Sequence, residues 1–314
     1  MKALLGDISI IHPRIVTYEI RQEEISKLNG AALLDEVLIL GGHSIYPQSS
    51  ESQISLCEAI GEWAIQNFEE GDFAVRTRKI GELPDTISSR SFEDKVGRAV
   101  SSSGIRVNLE SPSNEIVIII AGSNEGDTHP EPFEFEGTMV VWGLRVKNWS
   151  KESFSGRSPT ERPYFKPISL EPRQARLLIS LSRVPNREIK AVIDPFCGTG
   201  GIAIEAVLQN IRALASDLDT RMVEGTKENL KWLGKECLVE KWDASDLSTL
   251  WGEMEGCSFV FDPPYGRSSW RSVDSLDIFL NVLKEAKKID AEGVVSSMLP
   301  AGPEALKPGN DDDI

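Results

Sequence analysis

Residues 191–201 read AVIDPFCGTGG, a short apolar run followed by a turn rich in glycine. The run predicts a buried strand that ends at Asp194. Gly198 and Gly200 let the backbone turn sharply and approach a ligand closely before a helix begins. A glycine turn after a strand is weak evidence when it stands alone, because a tight connection gives the same pattern. The stretch therefore predicts a strand, a turn and a helix that could hold a nucleotide-type cofactor.

The chain around this stretch alternates apolar strands with helices of ordinary length. Such alternation indicates a parallel sheet covered on both faces, and these sheets bind ligands at the carboxyl ends of their strands. We therefore predict an α/β, Rossmann-like fold for the second half. The further strands are predicted at ALASD (213–217), before Asp243, at SFVFDPP (258–264) and at GVVSSML (293–299), and the helices at 200–209, 221–233 and 275–288.

Three carboxylates at strand ends strengthen the cofactor interpretation. Asp217 can accept both hydroxyl hydrogens of a ribose, and Asp243 can accept from an adenine amino group. Asp194 can reach an ammonium group directly or through water. A dinucleotide is less favoured, because the glycine spacing is not GxGxxG. The predicted cofactor-binding residues of this region are Asp194, Phe196, Cys197, Gly198, Thr199, Gly200, Asp217 and Asp243, with Cys197 expected to pack under the turn rather than act as a reactive thiol.

A second motif, DPPYG at 262–266, follows the apolar run SFVF. If Asp262 and the carbonyl of Pro263 each accept one hydrogen of an exocyclic amino group, they hold its nitrogen in line with a methyl donor. Tyr265 offers a face for a flipped base, and Pro264 helps to fix the backbone. The bland alternative is a proline-rich turn after a strand. Arg267 is predicted to contact a phosphate or a base edge, with an exposed loop charge as the equal alternative.

The composition bounds the class of protein. The 314 residues carry a net charge of -15, which argues against a generally cationic nucleic-acid binder, and no apolar stretch is long enough to span a bilayer. The four cysteines and three histidines show no zinc or disulfide spacing, so we predict no metal site. The amino terminus lacks the apolar centre of a signal peptide, and a cytoplasmic location is expected.

Basic residues concentrate between Arg145 and Arg176, where eight of them stand against three acidic residues. This run is interpreted either as a track that grips RNA or as a solvated linker. Its composition from 148 to 167 favours a linker. The predicted organisation is therefore an amino-terminal α+β region at 1–147, a linker at 148–166 and a catalytic domain at 167–314.

The first half is predicted to mix strands and helices. FAVRTRKIG, at 73–81, has the alternation of a strand with one basic face, and RVNLE (106–110), EIVIII (115–120) and TMVVWGLRV (138–146) are further predicted strands. Helices are predicted at 53–68 and 91–101. The candidates for phosphate contacts are Arg76, Arg78 and Lys79, with a solvated strand face as the alternative for each.

These residues together resemble the archaeal tRNA guanine-10 N2-methyltransferases and their eukaryotic relatives. DPFCGTGG, SDLD and DPPYGR match the cofactor and catalytic motifs of that family, and the likeness covers most of the chain. The resemblance implies S-adenosylmethionine as methyl donor and tRNA as substrate. Its product would be N2-methylguanosine or the dimethyl form at position 10.

The resemblance extends to both halves. FAVRTRKIG, SFEDKVGRAV and IRVNLESPSNEIVIII are similar to a THUMP domain, an RNA-binding module that in this family grips the acceptor end of tRNA. RPYFKPISLEPRQARLLISLSRV is similar to the segment that enters the catalytic domain. By that resemblance Phe165 and Pro167 line the methionine and adenine side of the cofactor. A small zinc-binding activator protein is a candidate partner, because some family members have one.

One departure from the family concerns the end of the chain. Family members continue past the fifth strand into a helix and an antiparallel strand pair, whereas the tail AGPEALKPGNDDDI cannot supply two buried strands. We therefore expect the C-terminal strand pair to be missing. The alternatives to the leading function are N2-methylation of another guanine in tRNA or ribosomal RNA, N6-methylation of adenine, and RNA binding without catalysis.

Overall fold

The computed structural model describes residues 8–21, 24–25, 28–29, 31–124, 137–149, 151–167, 169–183, 187–263 and 273–298. The chain divides into two compact units. The amino-terminal unit comprises Asp7–Ser26 and Leu34–Lys151, and the carboxyl-terminal unit comprises the chain from Glu152 onward together with Lys27–Leu33. No helix in the described ranges is long and apolar enough to cross a membrane. The expected absence of a C-terminal strand pair concerns residues that lie outside these ranges.

The amino-terminal unit contains a four-stranded sheet, two helices and a small hairpin. The sheet has the order β3-β6-β5-β4, in which β4 and β5 run parallel and the other neighbours antiparallel. This arrangement confirms the predicted α+β class. The elements are β1 (Ser9–His12), β2 (Ile15–Thr17), β3 (Leu38–Ile45), α1 (Ser50–Asn67), β4 (Phe73–Ile80), α2 (Ser89–Ser101), β5 (Asn114–Ala121) and β6 (Met139–Arg145).

The helices cover one face of this sheet. Ile60 of α1 and Phe92 of α2 are fully buried against Phe73 of β4 and Ile116 of β5. Side chains alternate between the two faces of a strand, so the apolar positions of β4 and β5 that point to the helices form the core. The hairpin β1–β2 packs through Ile11 on the opposite face.

The predicted strand RVNLE is wrong, because only Val107 of this segment makes a bridge, to Phe73. The side chain of Asn108 explains the difference. Its Oδ1 accepts hydrogen bonds from the backbone N–H of Glu110 (3.1 Å) and Ser111 (3.2 Å). An asparagine that bonds its own following backbone forms a turn and competes with strand pairing.

The carboxyl-terminal unit is a five-stranded sheet in which all neighbours are parallel, with the order β11-β10-β7-β8-β9. The predicted α/β, Rossmann-like fold is thereby confirmed. The elements are α3 (Pro172–Leu181), β7 (Ala191–Asp194), α4 (Gly201–Leu208), β8 (Arg212–Asp217), α5 (Thr220–Trp232), β9 (Leu238–Lys241), α6 (Leu247–Trp251), β10 (Cys257–Phe261), α7 (Val273–Ile289) and β11 (Val294–Ser297), with one 3-10 turn at Pro159–Glu161 and another at Ala244–Asp246.

The strand order determines where a ligand-binding crevice can form in this sheet. From β7 the chain builds outward through β8 and β9, then returns to the other side of β7 with β10 and β11. The central strands β7 and β10 are buried at every residue, as expected for strands covered on both faces. The order reverses between β7 and β10, and in sheets of this kind a ligand crevice forms at the carboxyl edge beside such a reversal.

Three arginines of the basic run at 145–176 are buried. Arg157 and Arg176 are buried against Glu205 of α4, which is fully buried, and Arg162 is 4% exposed. Arg157 Nε lies 2.7 Å from Glu205 Oε1, and Arg176 Nη2 lies 2.7 Å from Oε2. Both interpretations of the run, as an RNA track and as a solvated linker, are therefore wrong for these three arginines, because their guanidinium groups pack inside the carboxyl-terminal unit.

Candidate active site

A cavity of about 800 Å³ opens at the carboxyl edge of the parallel sheet. It is lined by the residues that follow β7, β8, β9 and β10, by part of the segment 166–170 and by two side chains of α7. The structure brings nine predicted site residues to this cavity: Asp194, Phe196, Cys197, Gly198, Thr199, Asp217, Asp243, Asp262 and Pro263.

The glycine turn takes a conformation that other residues disfavour. Gly198 and Gly200 have φ angles of 51° and 85°, and a Cβ at Gly200 would lie 2.8 Å from Cγ2 of Thr226. The turn closes through a 2.7 Å hydrogen bond from Gly200 N–H to the carbonyl of Cys197. Glycine at these two positions therefore lets the turn pack tightly and leave its outer side open to the cavity.

Asp217 is oriented by backbone donors. Its two carboxylate oxygens accept hydrogen bonds from Gly198 N–H (3.0 Å) and Asp219 N–H (2.9 Å). A carboxylate has about four acceptor sites, so the group can still accept two hydroxyl hydrogens. Asp243 begins the next turn, where hydrogen bonds from the backbone N–H and the hydroxyl of Ser245 lower the pKa of the Asp243 carboxyl.

Asp194 is the most deeply buried carboxylate of the site, at 2% exposure. Burial raises its pKa well above the ordinary value, and the nearby carboxylates of Asp217 and Asp262 raise it further. A 3.1 Å hydrogen bond from Phe196 N–H opposes this shift. Repulsion between like charges at low dielectric makes this position favourable for a bound cation.

Asp262 and Pro263 follow β10 and face the same cavity as the glycine turn. They lie one strand away from Asp194, because β10 pairs with β7. Behind them Phe261 packs edge-on against Phe196, with ring centroids 5.8 Å apart. The predicted site residues Pro264, Tyr265 and Arg267 lie outside the described residues.

The segment before α3 contributes different residues from those expected. Phe165 is 42% exposed and Pro167 is also exposed, and neither lines the cavity, whereas Lys166, Ser169 and Leu170 do. A turn causes this alternation, because Ser169 N–H donates to the carbonyl of Lys166 (2.9 Å) and Lys166 N–H donates to Ser169 Oγ (3.3 Å). The hydrophobic pattern of the sequence does not predict such a turn.

Eleven further lining residues were not among the predicted site residues, and six of them illustrate what signal the sequence carried. Leu218 and Trp242 directly follow β8 and β9, so their place at strand ends was a usable signal. The two side chains from α7 lie on one face of a helix, which no local motif marks. The six residues are Leu218, Met222, Trp242, Ser245, Ile278 and Asn281.

The cavity is strongly acidic. Among its described lining residues five side chains are carboxylates and one is a lysine, an imbalance that favours a ligand with positive charge. S-adenosylmethionine carries a sulfonium and an ammonium group, and its ribose suits the two-acceptor arrangement at Asp217, so the residues fit this cofactor. The charged lining residues are Asp194, Asp217, Asp219, Asp243, Asp262 and Lys166.

Cys197 packs under the glycine turn, as predicted. Its Sγ lies 3.7 Å from Oγ1 of Thr226, and burial raises the pKa of the thiol well above its ordinary value. A thiol of this kind is unreactive. In the part of the chain that the structure describes, no three His, Cys, Asp or Glu side chains are grouped to hold a metal ion.

The candidate phosphate contacts of the amino-terminal unit lie on two faces of β4. Arg76 and Arg78 project from the face opposite the helices, whereas Lys79 projects toward the helices and donates to the carbonyl of Ile87. The three candidates therefore do not lie on one face of the strand.

Arg76 and Arg78 are also partly neutralised. Arg76 pairs with Glu115 at 3.5 Å, and Arg78 approaches Glu36 at 3.8 Å. Arg145 lies between the same acids, 3.0 Å from Glu115 and 3.1 Å from Glu36. This face thus carries three arginines and two glutamates.

The catalytic half matches a known family. The UPF0020 family model, described as RMKL-like, methyltransferase domain, matches residues 159–307, a range that contains nearly the whole cavity. The chain therefore contains a methyltransferase domain. The crystal structure of TrmN from Thermus thermophilus is 21% identical, covers 94% of this chain and 82% of that one, and has a TM-score of 0.46.

Longer alignments reach into the amino-terminal half. The tRNA (guanine(10)-N2)-dimethyltransferase of Methanothermobacter thermautotrophicus is 35% identical over 224 residues, 70% of this chain and 60% of that protein. The protein of the same name from Pyrococcus abyssi is 30% identical over 246 residues, 78% of this chain and 67% of that protein. The aligned part of the chain thus spans 60% to 67% of the length of these relatives.

Proposed function

Because the chain belongs to the tRNA (guanine(10)-N2)-dimethyltransferase family, we propose that it transfers methyl groups from S-adenosylmethionine to the exocyclic N2 of a guanine in tRNA. The proposed position is guanine 10, and the proposed product is N2-methylguanosine or N2,N2-dimethylguanosine. The observation that carries the proposal is the meeting of the glycine turn and the Asp262–Pro263 pair in one acidic cavity.

The cofactor is proposed to bind along the strand ends. Asp217 would accept the ribose hydroxyl hydrogens, Asp243 would accept from the adenine amino group, and Asp194 would pair with the ammonium group. When bound, S-adenosylmethionine supplies a methyl group on a positively charged sulfur. Asp194, at 2% exposure, keeps little contact with solvent at that end of the cavity.

Residues of this chain contribute to methyl transfer by positioning the guanine amino group and by stabilising the charge that develops on it. The lone pair of a guanine amino nitrogen is delocalised into the ring, so the nitrogen is a weak nucleophile. Asp262 and the Pro263 carbonyl accept its two hydrogens and direct the remaining lone pair toward the methyl carbon. As the nitrogen–carbon bond forms and the bond between the methyl carbon and sulfur breaks, the nitrogen would gain positive charge and S-adenosylhomocysteine would be the second product. The Asp262 carboxylate would stabilise that charge and accept the proton that the nitrogen then loses.

The amino-terminal region at 1–147 is proposed to be the RNA-binding part, with a THUMP domain, and 167–314 the catalytic part, with 148–166 between them. The mixed sheet of the amino-terminal region, with two helices on one face, is compatible with such a module. Stacking of the flipped base on Tyr265 and a contact from Arg267 to RNA stay predictions from the sequence. A cytoplasmic location and a small zinc-binding activator likewise stay predictions.

Substitution of Asp262 by asparagine tests the proposed function. The protein and its Asp262→Asn variant would each be incubated with tRNA and S-adenosylmethionine, and modified nucleosides would be mapped by mass spectrometry. We expect methylated N2 of guanine 10 with the wild type and a rate about 10² to 10³ times lower with the variant, because the developing charge loses its carboxylate.

Cofactor affinity, measured by calorimetry, is the control for this experiment. It should change little in Asp262→Asn. If guanine 10 stays unmodified and N6-methyladenosine appears, the substrate is adenine and the proposed function is wrong. If the protein binds the cofactor but no modified nucleoside appears, the result favours an RNA-binding protein without catalysis.

A further inference from the structure

The two walls of the cofactor cavity are joined by one buried side chain. Asn229 of α5 is fully buried and does not line the cavity. Its Nδ2 donates to the carbonyl of Thr199 in the glycine turn (2.9 Å) and to the carbonyl of Tyr164 (2.8 Å), and its Oδ1 accepts from Tyr164 N–H (2.9 Å). One amide group therefore fixes the glycine turn and the start of the segment 164–170 at the same time.

Neighbouring residues of α5 hold the same two walls. Thr226 Oγ1 donates to the carbonyl of Gly198 (2.9 Å), which fixes the turn one residue earlier. The Tyr164 ring rests on Gly225, where an added Cβ would lie 2.0 Å from Cδ1 of the ring. The face of α5 therefore determines how far the segment 164–170 stands from the turn.

The walls also meet directly across the cavity. Thr199 Oγ1 and Ser169 Oγ are 2.8 Å apart, so a hydroxyl of the turn bonds a hydroxyl of the segment. Both residues line the cavity. A small shift of either wall would break this contact and widen the space between them.

We propose that Asn229 is a positioning residue for S-adenosylmethionine, which sets the separation between the glycine turn and the segment 164–170. The inference rests on the proposed function, since it assumes that this cofactor occupies the cavity. Asn229 acts through Thr199 and Tyr164 and does not touch the cofactor itself.

An amide is needed because the side chain at 229 must both donate and accept hydrogen bonds. Two carbonyl oxygens require donors and one backbone N–H requires an acceptor, and only an amide of this size supplies both. An aspartate in its place would keep the acceptor but turn an oxygen toward the two carbonyls. Buried acceptors facing one another repel, so the walls would move apart.

The test compares Asn229→Asp with a matched variant in the full-length chain. Leu230→Ala removes the neighbouring side chain of α5, which is 2% exposed and packs in the core without bonding either wall. Calorimetry would measure the dissociation constant of S-adenosylhomocysteine, and thermal unfolding would measure stability. We expect both variants to unfold earlier, but only Asn229→Asp to bind at least ten times more weakly, with a raised KM for S-adenosylmethionine and a kcat that changes less.

Equal affinity of Asn229→Asp and the wild type would overturn the proposal, as would an equal loss of affinity in Leu230→Ala. If Asn229→Asp does not fold, Asn229→Ser carries the test. Its hydroxyl restores one donor in a smaller side chain, and a several-fold weakening is expected, whereas unchanged affinity overturns the proposal. A wild type that binds neither S-adenosylmethionine nor S-adenosylhomocysteine would remove the proposed function and this inference with it.

Discussion

Asp194 illustrates how a proposed binding residue lowers the stability of the protein that carries it. The carboxyl is 2% exposed and lies near two other carboxylates, so its charged form is disfavoured in the absence of a cation. This cost to the fold is compatible with the ligand-binding role proposed for Asp194. The same repulsion is relieved when a positive group binds between the carboxylates.

Replacement of Asp194 by asparagine should stabilise the protein at high pH. A raised pKa in the folded state means that stability is complete below the pKa of an unfolded aspartate, about 3.9, and is lost as the pH rises through the folded value. Asparagine does not ionise, so Asp194→Asn avoids this loss. Differential scanning calorimetry at pH 8 should show a midpoint raised by on the order of 3 °C.

The difference between the two midpoints should shrink as the pH is lowered toward 5.5. The reason is that the carboxyl of the folded wild type then becomes increasingly protonated, whereas the unfolded carboxyl stays ionised until the pH falls to about 3.9, so the wild type regains stability. An equal difference at both pH values would contradict this account of Asp194.

Strand ends made three carboxylates of the cavity predictable from sequence. Asp194, Asp217 and Asp262 each terminate or follow an apolar run, and parallel strands bring their carboxyl ends together. Asn229 gave no such signal, because a polar residue inside a helix is usually solvent-exposed and only the contacts of α5 show what it bonds. Residues that support a site through other residues need the three-dimensional structure.

At the scale of elements, α5 begins within one residue of its predicted start at 221, and its side chains bond both walls of the cavity. Asp219 caps the helix by accepting a 2.9 Å hydrogen bond from Arg221 N–H. Gly225, inside this helix, lies under the ring of Tyr164, where an added Cβ would be 2.0 Å from Cδ1 of the ring.

Gly225→Ala should destabilise the protein, although alanine is the better helix former. The new methyl group would lie 2.0 Å from Cδ1 of Tyr164, and overpacking of this kind costs about 1 to 3 kcal/mol. Urea unfolding would measure the change in the free energy of unfolding. A gain in stability would show that Tyr164 can move away freely.

Gly97→Ala is the matched control for this prediction. Gly97 lies inside α2, and an added Cβ there would have nothing within 4 Å. This substitution should stabilise by about 0.5 to 1 kcal/mol, since only helix propensity changes.

The secondary structure was predictable where the pattern was long or strongly apolar. The strands β7 and β10 and the helices α1, α5 and α7 match their predicted positions to within a few residues. The segment at 106–110 was not predictable in this way, because the Asn108 side chain accepts hydrogen bonds from backbone N–H groups that a strand would use for pairing. Local polar competition of this kind is invisible to a hydrophobic pattern.

At the scale of the whole molecule, the position of a charged side chain in the fold, and not its place in the sequence, decides whether it is exposed. The basic run at 145–176 attracted attention in the sequence, yet three of its arginines are buried in the carboxyl-terminal unit. The cationic side chains of β4 are exposed, but glutamates lie beside them. A local count of charges predicts a binding surface poorly when pairs are formed in the fold.

Arg78 provides a test of the proposed RNA-binding face, because its side chain is 58% exposed. Arg78→Ala should weaken tRNA binding and reduce the slope of log affinity against log salt by about 1, since one phosphate contact is lost. Filter binding at several salt concentrations would measure the slope. Cofactor affinity should stay unchanged.

Lys79→Ala is the control on the other face of the same strand. Lys79 donates to a carbonyl near α2 and is expected to leave the salt slope unaltered. If Lys79→Ala lowered the slope and Arg78→Ala did not, the RNA would have to approach from the side of the helices.

The ion pairs at Glu205 restrict where this protein can be cut. Glu205 belongs to α4 of the catalytic part, but its partner Arg157 comes from the stretch that resembled a linker. A shortened chain that began at residue 167 would keep the buried carboxylate and its partner Arg176 but discard Arg157, and loss of a partner from a buried ion-pair cluster is destabilising. A catalytic fragment intended to fold alone should therefore begin no later than Glu152, which also bonds Arg157. Proteases that recognise basic residues should likewise spare Arg157 and Arg162 in the native protein.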